Sequence, residues 1–400
     1  MNEERIKAYL NLIQQLLDCP SGEEPEILNQ SIELVDEEFV QLCELLAQQL
    51  QEAGEENNAS FLRNLPQQVA AFLNRQTPGC GGESRETQGN VTEEEDYLRF
   101  LMEVLQTTSE SRGNPSIVYP LLQQNLDKLD GNFAQIMQAW ATQTLSEVEE
   151  DGAVAIAAVI GEFANLIQQF PLGSRADNLE IGIVGYEISL TVFTQEKLPE
   201  MWAAIQNNLG EAYSNRIRGE RAENLERAIA CYQAALPVDT PEAFPQEWAG
   251  TQNNLGNAYL YRIRGERGEN LERAIACYEA ALQVRTPEAF PQDWAMTQNN
   301  LGEVYRNRIR EERGENLETA IACYEEALQV YTREAFPQQW ATTQNNLGAA
   351  YSNRIRGERA ENLETAIACY LAALQVYTPE AFPEDNAGTQ NNLGEAYRNR

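Results

Sequence analysis

TQNNLGEVY, residues 297–305, decides the reading of this chain. It returns as IQNNLGEAY at 205–213, TQNNLGNAY at 251–259, TQNNLGAAY at 343–351 and TQNNLGEAY at 389–397, always at an interval of 46 residues. A fixed period of this size marks stacked supersecondary units, each too small to bury its apolar face alone. In the unit starting at Pro245, the residues Trp248, Leu255, Tyr259 and Ile263 fall on one side of a first helix, A. That helix is expected to run for about 19 residues, or about 28 Å at 1.5 Å per residue. The Pro of AFPQ suits its first turn, where a missing N–H costs nothing. A loop, RGERGE, follows. Asn270 then reads as the cap of helix B, whose Leu271, Ala274, Ile275, Tyr278, Ala281 and Leu282 form the apolar stripe. TPEAFP closes the unit.

Outward from these units the chain reads as all-α. Residues 1–73 form an N-terminal helical segment, with stripes such as Tyr9, Leu10, Leu12, Ile13, Leu16 and Leu17. Residues 74–95, rich in Gly, Ser and Glu, read as a flexible linker. Residues 96–170 are helical again and resemble a worn copy of the first segment. Asp36, Phe39, Leu42 and Leu62 fall opposite Asp130, Phe133, Ile136 and Ile156 at a shift of 94, a match that two amphipathic helices also produce by chance. The array occupies 171–400: a degenerate unit at 171–198, full units from about 199, 245, 291 and 337, and a half unit at 383–400. Two readings of that half unit stay open. Asn386, standing where earlier units have Trp248, Trp294 and Trp340, suits a cap, whereas unchanged Leu393 and Tyr397 favour truncation of a longer protein.

Composition excludes much chemistry. The chain has 29 basic and 62 acidic residues, a net charge of −33, with 27 acids and 8 bases in residues 1–150. Such a field repels phosphate backbones and anionic membranes, so neither nucleic acid nor membrane is an expected partner. Histidine is absent, which removes Ser-His and Cys-His dyads, imidazole metal ligands and His proton shuttles. The seven cysteines contain no CxxC; Cys231, Cys277, Cys323 and Cys369 recur at the repeat period and read as small buried residues. No phosphate-loop motif occurs, and the acidic clusters Glu93–Asp96 and Glu147–Asp151 lack metal-loop spacing. The expectation is a protein that is not an enzyme and uses no metal or cofactor. Unpaired thiols, and no apolar run of the ~18–20 residues that span a bilayer, fit a cytoplasmic setting.

Leu255, Gly256 and Tyr259 in helix A, with Ala274, Tyr278 and Ala281 in helix B, resemble the tetratricopeptide-repeat (TPR) pattern, although the period is 46 in place of the usual 34. The resemblance implies a TPR-like α-solenoid, a superhelix of antiparallel helix pairs. The unit with RIRGERAENLE and AFPQ-W, after a start such as MNEERIKAYLNLIQQLLDCPSGEEPEILN, looks like bacterial proteins of the TPR–CHAT type. In these a TPR array precedes a caspase-like peptidase domain. No part of that peptidase is carried over here. The resemblance leaves an alternative in which the chain is the sensing or autoinhibitory part of such a peptidase.

In TPR proteins helix A lines the concave surface. With Leu209 as the buried reference, Asn207, Glu211, Ser214 and Arg218 fall opposite it as an i, i+4, i+7, i+11 stripe. The first position is always Asn: Asn207, Asn253, Asn299, Asn345 and Asn391. The second varies as Glu211, Asn257, Glu303, Ala349 and Glu395, and the third as Ser214, Leu260, Arg306, Ser352 and Arg398. The fourth is Arg218, Arg264, Arg310 or Arg356, placed with Arg216 in the last turn of helix A. Amides can pair with either group of a peptide backbone, and arginines can hold carboxylates. The stripe therefore marks a groove for an extended peptide or protein partner, unless its asparagines serve packing between units or have simply been copied. A contact between the acidic N-terminal half and the arginine row is a further expectation, drawn from charge alone.

Overall fold

The computed structural model describes residues 93–400 together with Arg5, Tyr9, Leu12 and Ile13. The chain divides into two compact units, Met1–Gly89 and Asn90–Arg400. In the first, all four described residues are helical, and Tyr9, Leu12 and Ile13 are buried. The rest of the 1–73 segment, linker positions 74–92 and one side of the 94-residue comparison lie outside the described residues.

The second unit is built of helices, fourteen among the described residues. The first is α1, Glu93–Ser111, so Glu93–Glu95 belong to its first turn and not to a linker. α2 (Pro115–Gln124) and α3 (Gly131–Glu147) follow. The Asp130 side chain caps α3 by accepting from the backbone N–H of Asn132 and Phe133, and it also accepts from the Tyr97 hydroxyl at 3.0 Å. The core here is aromatic. Phe133 lies 5.3 Å from Phe100 and 6.0 Å from Phe163, centroid to centroid.

Next come α4 (Glu150–Gln169) and α5 (Arg175–Leu190). These are the A and B helices of a first unit: moved 46 places along the chain, they fall on α6 (Pro199–Asn215) and α7 (Arg221–Ala235). The boundary read at 170/171 cuts this pair in two. Degenerate sequence hid helix A, since α4 has no QNNLG and its packing face is marked by small residues such as Ala157, Gly161 and Ala164. The remaining pairs are α8 (Pro245–Tyr261) with α9 (Arg267–Leu282), α10 (Pro291–Asn307) with α11 (Arg313–Val330), and α12 (Pro337–Asn353) with α13 (Arg359–Ala373). α14 (Pro383–Asn399) is the last described helix.

From α6 onward each crossing is set by a glycine in helix A. A Cβ on Gly210, Gly256, Gly302 or Gly348 would lie 2.6–2.8 Å from Cε1 of Tyr232, Tyr278, Tyr324 or Tyr370. The helices meet across that gap, with the tyrosines almost fully buried. Helix A has 17 residues, not 19, and Ile263 is 61 % exposed. The helix stops because Arg262 turns extended (φ −58°, ψ 127°) and Gly265 adopts φ +80°. Ile217, Ile309 and Ile355 lie outside for the same reason. Asn270 is not the N-cap, which is Glu266; it sits within the first turn of α9 and its Nδ2 donates to the Arg264 carbonyl at 2.9 Å, bracing the loop.

Candidate functional site

The asparagines of the motif lie where successive helices A face one another. Asn254 Nδ2 donates to Asn207 Oδ1 at 3.3 Å, Asn300 to Asn253 at 3.3 Å, Asn346 to Asn299 at 3.3 Å and Asn392 to Asn345 at 3.2 Å. The second asparagine of each unit thus reaches back to the first asparagine of the unit before. Thr251 and Thr297 add hydroxyl donors to the same Asn207 and Asn253 oxygens. Asn253 is only 2 % exposed, Asn207, Asn299 and Asn345 are half-buried, and Asn391 is open to solvent. The oxygens of the first four are therefore engaged in stacking the units, a service that neutral amides perform with no cost of burying charge.

The fourth position of the stripe does not continue on the helix. Arg216 is the C-cap residue of α6, so Arg218 lies in the loop beyond it, as do Arg264, Arg310 and Arg356. Arg218 pairs with Asp177 at 2.7 Å and Arg356 with Glu315 at 3.7 Å. The structural role falls instead to the other arginine of RIR. Arg216, Arg262, Arg308 and Arg354 each make a two-pronged ion pair with Glu180, Glu226, Glu272 and Glu318 of the preceding helix B, at 2.7–2.9 Å. These guanidinium bonds hold the carboxyls of Glu226, Glu272 and Glu318 below their usual range. Sequence reading passed over the pairing, yet its signal is present: NLE and RIR recur together, with Glu and Arg always 36 residues apart. A third arginine was also missed. Arg175, Arg221, Arg267, Arg313 and Arg359, at the start of each helix B, donate to a carbonyl at the end of the helix A before it.

What remains for chemistry on the helix A face is the second and third positions. A cavity of about 430 Å³ opens between α6 and α8, lined by Glu211, Ser214, Asn215, Asn254, Asn257 and Tyr261, with Tyr232 beneath. A second, of about 300 Å³, is lined by Arg306, Asn345, Asn346, Ser352, Asn353, Asn392 and Glu395, with Tyr370 beneath. Asn257 accepts from the Tyr278 hydroxyl at 2.6 Å. Glu211 keeps part of its surface open to solvent, and desolvation of its carboxyl raises its pKa, opposed by Arg175. Glu303 receives the Tyr261 hydroxyl at 3.3 Å. Leu260 is 1 % exposed and belongs to the core, so the third position is not a groove position in every unit. Cys277, Cys323 and Cys369 are buried and Cys231 half-buried; burial pushes the thiols of the first two up to about 12, far from a reactive thiolate.

Among the described residues no helix is long and apolar enough to cross a membrane. No curated protein matches the chain. The family model described as Tetratricopeptide repeat matches residues 202–242, 248–288 and 340–379, so over this stretch the chain carries tetratricopeptide repeats, units that generally serve as scaffolds for protein interaction.

Proposed function

We propose that the chain is a non-catalytic scaffold that binds an extended peptide or peptide-like segment of a partner protein along the face formed by its helices A. The observation that carries this reading is the pair of polar cavities on that face. Both are floored by a buried tyrosine and walled by amides and hydroxyls, groups that pair with a peptide backbone of any sequence. The first asparagines contribute what stacking leaves over: their oxygens accept from the next unit, while the Nδ2 groups of half-buried Asn299 and Asn345 make no hydrogen bond among the described residues.

Tyr261 supplies the test. It stands where the other units have Asn215, Asn307 and Asn353, so the fold tolerates an aromatic ring there. In Asn215→Tyr with Asn353→Tyr, both cavities are plugged by a side chain the array already accepts. Purified protein is applied to an array of immobilised twelve-residue peptides. The plugged variant is expected to release the wild-type peptides by tenfold or more at an unchanged thermal midpoint. Equal retention by both proteins defeats the reading.

The likeness to TPR–CHAT arrays, carried by the 46-residue unit and its RIRGERAENLE and AFPQ-W elements, supports a second reading. In it the same face senses a signal for a peptidase domain, and a co-expressed CHAT domain gains or loses activity with the plugged variant.

A further inference from the structure

A cavity of about 720 Å³ opens between the α3–α4 turn, with the start of α4, and the loop that joins α5 to α6. It shares no residue with the two polar cavities. Val148, Val154, Val192 and Leu198 give it apolar walls, and Glu150, Asp151 and Lys197 carry its charge. Later units show what such a joint otherwise holds. Residues 145–154 and 191–200 correspond to 283–292 and 329–338, where Phe290 and Phe336 stand in place of Gly152 and Leu198. Phe336 packs with its ring 5.7 Å from that of Tyr331, and one unit on Phe382 lies 5.6 Å from Tyr377. In the first unit the buried ring of Phe193 is kept at the place of Tyr331, and both phenylalanines are gone.

The charge differs as well. Segments 283–292 and 329–338 balance two glutamates with two arginines, whereas 145–154 and 191–200 hold six carboxylates and one lysine. That lysine, Lys197, is matched by Glu150 at 2.6 Å. Asp151 makes no ion pair among the described residues, and residues 129–174 contain neither lysine nor arginine. We propose that this joint is a docking site for a partner polypeptide that presents an aromatic side chain beside lysine or arginine. The ring enters the cavity as Phe336 enters its own joint, taking apolar surface out of water on both sides, and the cation meets the acidic rim. A missing ring sets the shape of the ligand, and a surplus of carboxylates sets its sign. The volume lies within the roughly 300–1,000 Å³ of ligand sites.

The test uses three rhodamine-labelled peptides of Gly-Ser sequence around a central Phe-Lys-Lys, Ala-Lys-Lys or Phe-Glu-Glu. Binding to the full chain is read by anisotropy at low salt, where charge is least screened. The Phe-Lys-Lys peptide is expected to bind about tenfold more tightly than either of the others. Leu198→Phe installs the residue that later units carry as Phe244, Phe290, Phe336 and Phe382. It should remove the advantage of phenylalanine over alanine at an unchanged or higher thermal midpoint. Glu149→Gln with Asp151→Asn should narrow the preference for lysine over glutamate to about threefold. Asn215→Tyr with Asn353→Tyr, which plugs the helix A face, should leave all three affinities unchanged, so this site stands or falls apart from the reading above. Equal binding of the Phe-Lys-Lys and Ala-Lys-Lys peptides overturns the site, as does an undiminished phenylalanine advantage in folded Leu198→Phe. Equal binding of the Phe-Lys-Lys and Phe-Glu-Glu peptides, or loss of binding in the helix A plug, overturns it too.

Discussion

The joint after α7 and the joint after α11 occupy the same place in two units and are made of different chemistry. After α11, Tyr331 is buried with its ring 5.7 Å from Phe336 and its hydroxyl donating to the Gln292 carbonyl at 3.2 Å. After α7 the same position is Asp239, 5 % exposed, with Glu247 nearby and no ion pair. The unit between them uses Arg285, whose guanidinium donates to Thr297 at 3.0 Å. An acid, a guanidinium and a phenol fit one buried site because the helix pairs on either side, locked by glycine and tyrosine, fix the backbone independently of it. The period thus specifies geometry, while each joint keeps its own stability.

The largest expected effect falls on Asp239. Burial, with Glu247 adding to it, raises its carboxyl from an ordinary 3.8 to about 6. Below pH 3.8 folded and unfolded chains are both protonated there. From pH 4 to 6 only the folded chain keeps the proton, so stability falls as pH rises and the loss is complete above 6. Two pKa units correspond to at most about 3 kcal/mol. Asp239→Tyr, the residue used after α11, should therefore gain stability over the wild type at pH 7 and lose most of that advantage at pH 4. Urea midpoints at the two pH values read this directly, and an advantage that does not change with pH breaks the comparison.

The glycines come next. Gly256 leaves 2.7 Å between a would-be Cβ and Tyr278, whereas a Cβ on Gly394 in α14 meets nothing within 4 Å. Gly256→Ala should cost about 1–3 kcal/mol by overpacking. Gly394→Ala, in an uncovered helix, should stabilise by up to about 1 kcal/mol. Equal effects in thermal unfolding would mean that the crossing is not set by the glycine–tyrosine contact. The smallest effect concerns the loop turn, where Gly219, Gly265 and Gly357 have φ of +77° to +80° but the loop between α10 and α11 has Glu311 at +64°. Glu311→Gly should stabilise by about 1 kcal/mol, the order of the left-handed penalty for a residue with a Cβ. A loss of stability would show that Glu311 makes a compensating contact.

Much of this architecture was legible from residues alone. Proline at the first turn of each helix A from α6 onward, Gly256 opposite Tyr278, and the buried Cys277, Cys323 and Cys369 all lie where the pattern put them. The candidate site was legible only in part. Helical phase placed Asn253 on the face away from Leu255, and the structure buries it against Thr297 and Asn300. Phase assigns a direction but cannot say whether the next unit covers that direction. Arg264 was mistaken for a helical residue because helical phase assumes that the helix continues.

Sequence by itself determined the period, the helix pairs and the small-against-aromatic crossing, since these rest on contacts within one unit and on local backbone preference. Tertiary structure decided the partners across units: Asn254 with Asn207, 47 residues away, and Arg262 with Glu226, 36 away. It also decided that α4, without the motif, joins the array as a helix A. Pairings of this kind depend on how far one unit is rotated and shifted against the next. That offset is the sum of many packing contacts, and no single stretch of the chain encodes it.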